Sequence, residues 1–443
     1  MTTRPTPREL DEVITEIAIR LADEETVQTS VQQVCKNANY PTAWEPASLA
    51  MGPLGNAVLF STLDRSGISA ARDWRSLACS VLERYADEVI GGASKNDSLF
   101  GGAGGVLLAY VVAAIGESRW IDVAEILAEG LAEQTLALDP IPSEGDISDA
   151  DYDIISGRAG TLIAVSIASR KFPNSINISA ACNRLFDDID ELLTRGETIA
   201  DTVWIDPRYY PHEDYAVDFP HGYYNMGLSH GIPGLLVALA SANVTGRRDE
   251  KRRSLLAGLS DITLDNALAD SFGLGWPSGR DREEWQESIR STPERGLPNA
   301  WCYGAPGVAV ALSRAGAVLG DKQLIKRAQN TMRDALTRAI ATDSHQSMSP
   351  SFCHGISGIL ACSISVLGPA ELYKVGSTQY QLAASLLSKA NKSHPLVFQD
   401  FEEPAQYLDN PTVIQGAAGI ALTLTLARNE RRSPGWQNLF GLE

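Results

Sequence analysis

The chain has 443 residues, 44% of them hydrophobic and 21% charged, and a formal net charge of −18. That length exceeds one ordinary core, so it demands either several domains or one large repetitive domain. A chain this acidic has no basic field with which to collect phosphates, which argues against nucleic-acid binding; solubility or a cationic partner accounts for the charge.

An acidic amphipathic segment over about 8–25 follows Met1-Thr2-Thr3-Arg4-Pro5, a start unlike a signal peptide. No apolar run is long enough to span a bilayer, and the expected location is the cytoplasm. From there a signature recurs seven times: Gly-x-x-Gly followed by a small or apolar run. The glycine pairs are Gly52/Gly55, Gly102/Gly105, Gly157/Gly160, Gly231/Gly234, Gly304/Gly307, Gly355/Gly358 and Gly416/Gly419. The runs, such as VLLAYVVAAI and IALTLTLA, are apolar on nearly all sides, as buried helices are. Between them lie charged amphipathic segments over about 69–90, 119–136, 177–195, 248–267, 321–340 and 370–390. Seven buried helices alternating with seven one-sided ones predict an all-α fold, an α/α toroid that closes on itself without solenoid caps. No linker interrupts it, so residues 1–443 read as one domain.

The connections are unequal. Links from inner to outer helices are short, whereas 137–156, 196–229, 268–301, 341–353 and 392–415 are long and fall at the end where the glycine turns lie. Long loops above a rigid scaffold are where function usually sits. Loop 203–224 is rich in aromatic residues, which either line a peptide groove or pack over the barrel. His212 and His221 read as surface residues. The run Asp187-Asp188-Ile189-Asp190-Glu191, on an outer helix, reads as a solvated face.

Six cysteines in so long a chain form no disulfide framework. Cys35, Cys79, Cys182 and Cys362 read as small core residues. Cys302 and Cys353 differ, because each stands two residues before the first glycine of its turn; His230 and His354 each stand one residue before it. Adjacent repeats of a barrel set equivalent positions side by side, so Cys302, Cys353 and His354 are candidate ligands of one zinc ion, with His230 beside it as an acid/base. Two thiolates and an imidazole neutralise the ion. The set therefore suits ionising a substrate thiol better than activating water.

The segments GLSHGIPG, WCYGAPG, SFCHGISG and IQGAAG on seven apolar helices resemble the lanthionine synthetase C family, the lanthipeptide cyclases. The resemblance covers essentially the whole chain. It implies an α/α toroid with one Zn2+ on Cys302, Cys353 and His354, His230 as catalytic acid/base, and a catalytic role for Asp153 in the Tyr-Asp-x-x-x-Gly element. It implies intramolecular Michael addition of a precursor-peptide cysteine to dehydroalanine or dehydrobutyrine, with a dehydratase and an exporter as partners. One departure concerns the arginine that the family often carries just ahead of Trp-Cys-Tyr-Gly: Pro298, Asn299 and Ala300 stand there, and Arg295 is the nearest. Rival readings are prenyl transfer, a relative acting on glutathione or modified proteins, and a non-catalytic scaffold.

Overall fold

The computed structural model describes residues 6–38, 44–45, 48–68, 72–90, 97–114, 117–142, 147–289, 296–343, 348–374, 376–402, 406–428 and 435–443. Its helices in chain order begin with α1 (Pro7–Leu21), α2 (Glu24–Asn37), α3 (Leu54–Ser66), α4 (Trp74–Ile90), α5 (Ala103–Ala113) and α6 (Ser118–Leu136). Then come α7 (Asp149–Tyr152), α8 (Arg158–Lys171), α9 (Ile176–Thr194), α10 (Tyr215–Asp218), α11 (Ile232–Ser241) and α12 (Arg247–Asp265). The last are α13 (Arg282–Gln286), α14 (Ala305–Leu319), α15 (Lys322–Asp343), α16 (Ile356–Leu367), α17 (Thr378–Ser388) and α18 (Ala417–Arg428).

The glycine repeat becomes α3, α5, α8, α11, α14, α16 and α18, which are buried almost throughout. The glycines are required by contact. Gly157 caps α8 in extended backbone (φ −98°), and a Cβ there would stand 2.4 Å from the Asp153 nitrogen. Gly304, capping α14, also has φ +105°, which favours glycine in its own right. The amphipathic segments become α1, α4, α6, α9, α12, α15 and α17. On α1 the buried residues Leu10, Ile14, Ile17, Ala18 and Leu21 mark one stripe.

The described chain divides into two compact units. In the first (residues 1–95, 100–124 and 336–443), α3 packs on α4, α5 and α18, α1 packs on α18, and α16 packs on α17 and α18. In the second (96–99 and 125–335), α11 is central and packs on α8, α12 and α14, while α9 flanks α8 and α12.

Several expectations need correction. The segment 8–25 does not run through as one helix: α1 stops at Leu21, Asp23 caps α2 by accepting from the Thr26 amide, and α2 is an additional helix. Cys35 on α2 is exposed, so it is no core residue. The last outer segment splits into a 3-10 turn, Pro369–Tyr373, and α17, capped by Ser377. The acidic run on α9 is no solvated face. Asp188 is buried between Arg158 and Arg184 at 3.1 and 2.8 Å, and Asp190 is buried and paired with Lys251. The long loops also hold short antiparallel pairs: β1 (Tyr223–Asn225) with β4 (Gly279–Asp281), β2 (Leu268–Asp270) with β3 (Gly273–Gly275), and β5 (Asp400–Glu402) with β6 (Gln406–Leu408). Sidedness over three residues is too short a pattern to read from sequence.

Candidate functional site

Two neighbouring glycine turns of the second unit build an imidazole–carboxylate pair. Asp153 follows α7, and its Oδ1 accepts from the backbone nitrogens of Ser156 and Gly157 at 2.6 and 2.7 Å. Its Oδ2 faces Nδ1 of His230 in a short hydrogen bond. Asp153 is thus both a turn carboxylate and the partner of His230. His230 precedes the cap of α11, and the Ile154 amide donates to the Ser229 carbonyl at 3.2 Å, so backbone ties the two turns together. The next turn joins them: the Ser229 amide donates to the Cys302 carbonyl at 3.3 Å. Tyr303 lies with its ring centroid 6.4 Å from that of His230, and its hydroxyl accepts from Asn225 Nδ2 at 3.3 Å.

Burial pulls the His230 pKa down, but the hydrogen bond and charge of Asp153, with the charges of Asp149 and Cys302, outweigh it and hold the imidazole above its usual value. Asp149 is a further carboxylate in the same place. Burial pushes it up to about 6, against the hydrogen bond from the Tyr223 hydroxyl, 2.5 Å away, and the charge of His230. Burial likewise holds the Tyr303 and Tyr223 phenols well above their ordinary range, so both stay protonated. An imidazole raised in this way suits a proton donor.

The first unit holds Cys353 and His354 in the turn before α16. The Cys353 amide donates to the Ile414 carbonyl at 2.8 Å. Nε2 of His354 lies 3.2 Å from Oδ1 of Asp400, a carboxylate fully out of solvent, and 3.6 Å from Glu402. Asp400 is held in turn by the Ser349 hydroxyl at 2.5 Å. Burial, with Asp400 adjoining, raises Glu402 against the opposing charge of His354. Among the described residues, groups of at least three ligand-capable side chains whose atoms lie within 4.8 Å of one another occur here and at His221, Asp281 and Glu283.

The sequence profile of the lanthionine synthetase C-like proteins matches residues 43–440. The chain belongs to that family. Over 220 residues it is 25% identical to the nisin biosynthesis protein NisC of Lactococcus lactis subsp. lactis, covering 49% of this chain and 50% of that protein. The chain thus aligns with about half the length of that curated relative. A solved structure of a nisin cyclase superposes with a TM-score of 0.72 at 17% identity, covering 95% of this chain and 97% of that one. That likeness gives the fold class, the α/α toroid expected from the repeat.

Within this lanthionine synthetase C-like chain, His230, Asp153 and Cys302 belong to the second unit, and Cys353 and His354 to the first. Arg295 lies outside the described residues. His212 is exposed, whereas His221, half exposed, sits against Asp281 and Glu283 at 3.2 and 3.1 Å. Reading the sequence missed Asp149, Asp400 and Glu402, and took Tyr223 only as one of the aromatic residues of loop 203–224. The hydrogen bond from Tyr223 to Asp149 spans 74 positions, and the contact of Asp400 with His354 is made from a three-residue strand. No local pattern announces either. The only signal was that both stretches fall in the long loops at the glycine-turn end.

Proposed function

We propose that this protein is a zinc-dependent lanthipeptide cyclase, forming thioether rings by intramolecular Michael addition of precursor-peptide cysteines to dehydroalanine or dehydrobutyrine. The observation that carries this reading is the pair of buried Asp153 with half-buried His230, built into the family's glycine turns beside the Trp301-Cys302-Tyr303 segment. The names of the relatives, a nisin biosynthesis protein and a nisin cyclase, agree with it. The family match over residues 43–440 supports reading 1–443 as one cyclase domain.

Cys302, Cys353 and His354 are the proposed ligands of one Zn2+. Their chemistry suits that ion: both cysteines are half-buried, and the His354 ring lies 3.2 Å from the Asp400 carboxylate, the kind of neighbour that a zinc-ligating histidine commonly has. When bound, zinc supplies the charge that ionises a peptide thiol near neutral pH.

The chain's own residues do the rest. Addition of sulfur at the β-carbon forms the S–C bond and leaves an enolate. A proton must then reach the α-carbon. His230, its imidazole raised by Asp153, donates that proton from Nε2, because Nδ1 is occupied by the carboxylate. The thiol proton lost and the carbon proton gained balance, with no change of oxidation state. The substrate must arrive dehydrated, so a dehydratase acts first and an exporter follows, with the cyclase in the cytoplasm.

The test combines metal content with ring formation on a dehydrated cysteine peptide. Wild type should carry one zinc per chain, and Cys302→Ala or Cys353→Ala/His354→Ala should lose both zinc and cyclisation while keeping the helical spectrum. His230→Asn should keep zinc and slow ring formation by about 10²–10⁴-fold, the usual contribution of an acid/base group. Full zinc in Cys302→Ala, or unchanged turnover in His230→Asn, would remove those residues from their roles.

A further inference from the structure

Beside the His230 cluster, and wholly within the second unit, opens a cavity of about 680 Å³ that the chemistry above leaves unused. This is the size of a site that takes a peptide side chain with its neighbours. It reaches the cluster through Tyr223, Asn225 and Tyr303, which line it and also contact Asp149 or each other. One wall is aromatic. Phe219 stacks on Tyr223 with ring centroids 5.2 Å apart, and Tyr215 meets Tyr223 edge-on at 5.3 Å. Asp214, Asp218 and Glu284 also line it, and no cation pairs with any of them among the described residues. The one guanidinium among its described lining residues, Arg280, is buried and tied to Asn266 and the carbonyls of Glu284 and Ile289. Three acidic residues thus line a cavity whose one positive residue, among those described, is held by the scaffold.

Aromatic rings and acidic side chains with no cationic partner among the described residues together select a cation, since both attract it and neither attracts an anion. We infer that this cavity is a subsite for a lysine or arginine side chain of the peptide substrate, close to the residues that form the ring. It gives the acidity of the chain, −18 overall, a local use. It also makes part of the aromatic loop 203–224 a binding wall. The inference rests on the cyclase reading for the identity of the peptide, but not for the preference of the cavity.

The probes are short peptides carrying dehydroalanine and cysteine, with lysine, norleucine or glutamate placed in turn at each position within or next to the future ring. Unreactive analogues with alanine for dehydroalanine report affinity; the reactive peptides report ring formation. At one position lysine should bind about five- to tenfold more tightly than norleucine, and the ratio should shrink as salt rises. Asp214→Asn/Asp218→Asn/Glu284→Gln should bring that ratio below about twofold, and Tyr215→Leu should reduce it in part. Asp214→Lys/Asp218→Lys, altered at exposed positions that folding does not use, should favour the glutamate peptide instead. Equal affinities at every position in wild type, or a lysine preference that survives in the triple variant, would overturn the inference. A lysine preference in binding with no ring formed from any peptide would uphold the subsite and count against the cyclase reading instead.

Discussion

Asp153 has two oxygens in different employment: one closes the turn before α8, and the other sets the tautomer and charge of His230. Replacing it by asparagine removes the charge that opposes burial. In Asp153→Asn the His230 imidazole should therefore titrate below its usual value rather than above it, as followed by NMR of its ring carbon. The same shifts set the pH dependence of stability. The folded pKa of His230 is raised, so its contribution is complete below the unfolded value near 6.5 and is lost as pH rises through the folded value. The destabilisation of His230→Asn, measured by urea unfolding, should be larger at about pH 6 than at about pH 9. A difference that does not change with pH would contradict this. Asp149 is also raised, to about 6, so its burial cost grows as pH climbs from its ordinary value to that point. Asp149→Asn should accordingly be tolerated better at pH 7 than at about pH 4.5. His230 stood out by its place in the repeat and Asp153 by the family resemblance alone; Asp149, and the bond that Tyr223 makes to it, were invisible because their meaning lies only in what they touch.

At the scale of elements, the glycine turns position the chemistry, and they differ in what they tolerate. A methyl group on Gly157 would press into the Asp153 nitrogen and the Tyr152 backbone, so Gly157→Ala should cost about 1–3 kcal/mol and displace the carboxylate from His230. Gly304→Ala meets the Pro298 carbonyl at 2.0 Å and also forces φ +105° on an alanine; its cost should be larger, on the order of 3 kcal/mol or more. Gly130, inside α6, has nothing within 4 Å of its would-be Cβ, so Gly130→Ala should stabilise by about 0.5–1 kcal/mol. Thermal or urea unfolding of the three variants orders them. The inner helices were legible because a run apolar on all sides has one home. The break between α1 and α2 was less so: Ala22-Asp23 interrupts a polar stretch whose periodicity continues on both sides, and only the Asp23 cap shows where one helix stops.

Across the whole molecule, the inner helices carry the core. Leu235 to Leu239 of α11 and Val308 to Leu312 of α14 are fully out of solvent, whereas the long outer helix α12 keeps an exposed face. Amide exchange should therefore be slowest over 54–63, 159–168, 232–239, 305–312 and 417–427, and faster along 247–265. Equal protection of α11 and α12 would refute that ranking. By itself the sequence determined the fold class and the turns where chemistry gathers. Both are repeated signals: seven glycine pairs, each opening an apolar run, report burial by composition alone, and burial is what selects an inner helix. Tertiary structure alone decided the surroundings of those turns: Asp149 beside His230, Asp400 behind His354, the buried ion pairs of Asp188 and Asp190, and the aromatic and acidic walls of the cavity. Most depend on single side chains meeting across dozens of positions, some of them from strands of three residues. A contact made once between distant loops leaves no period in the chain from which it could be read.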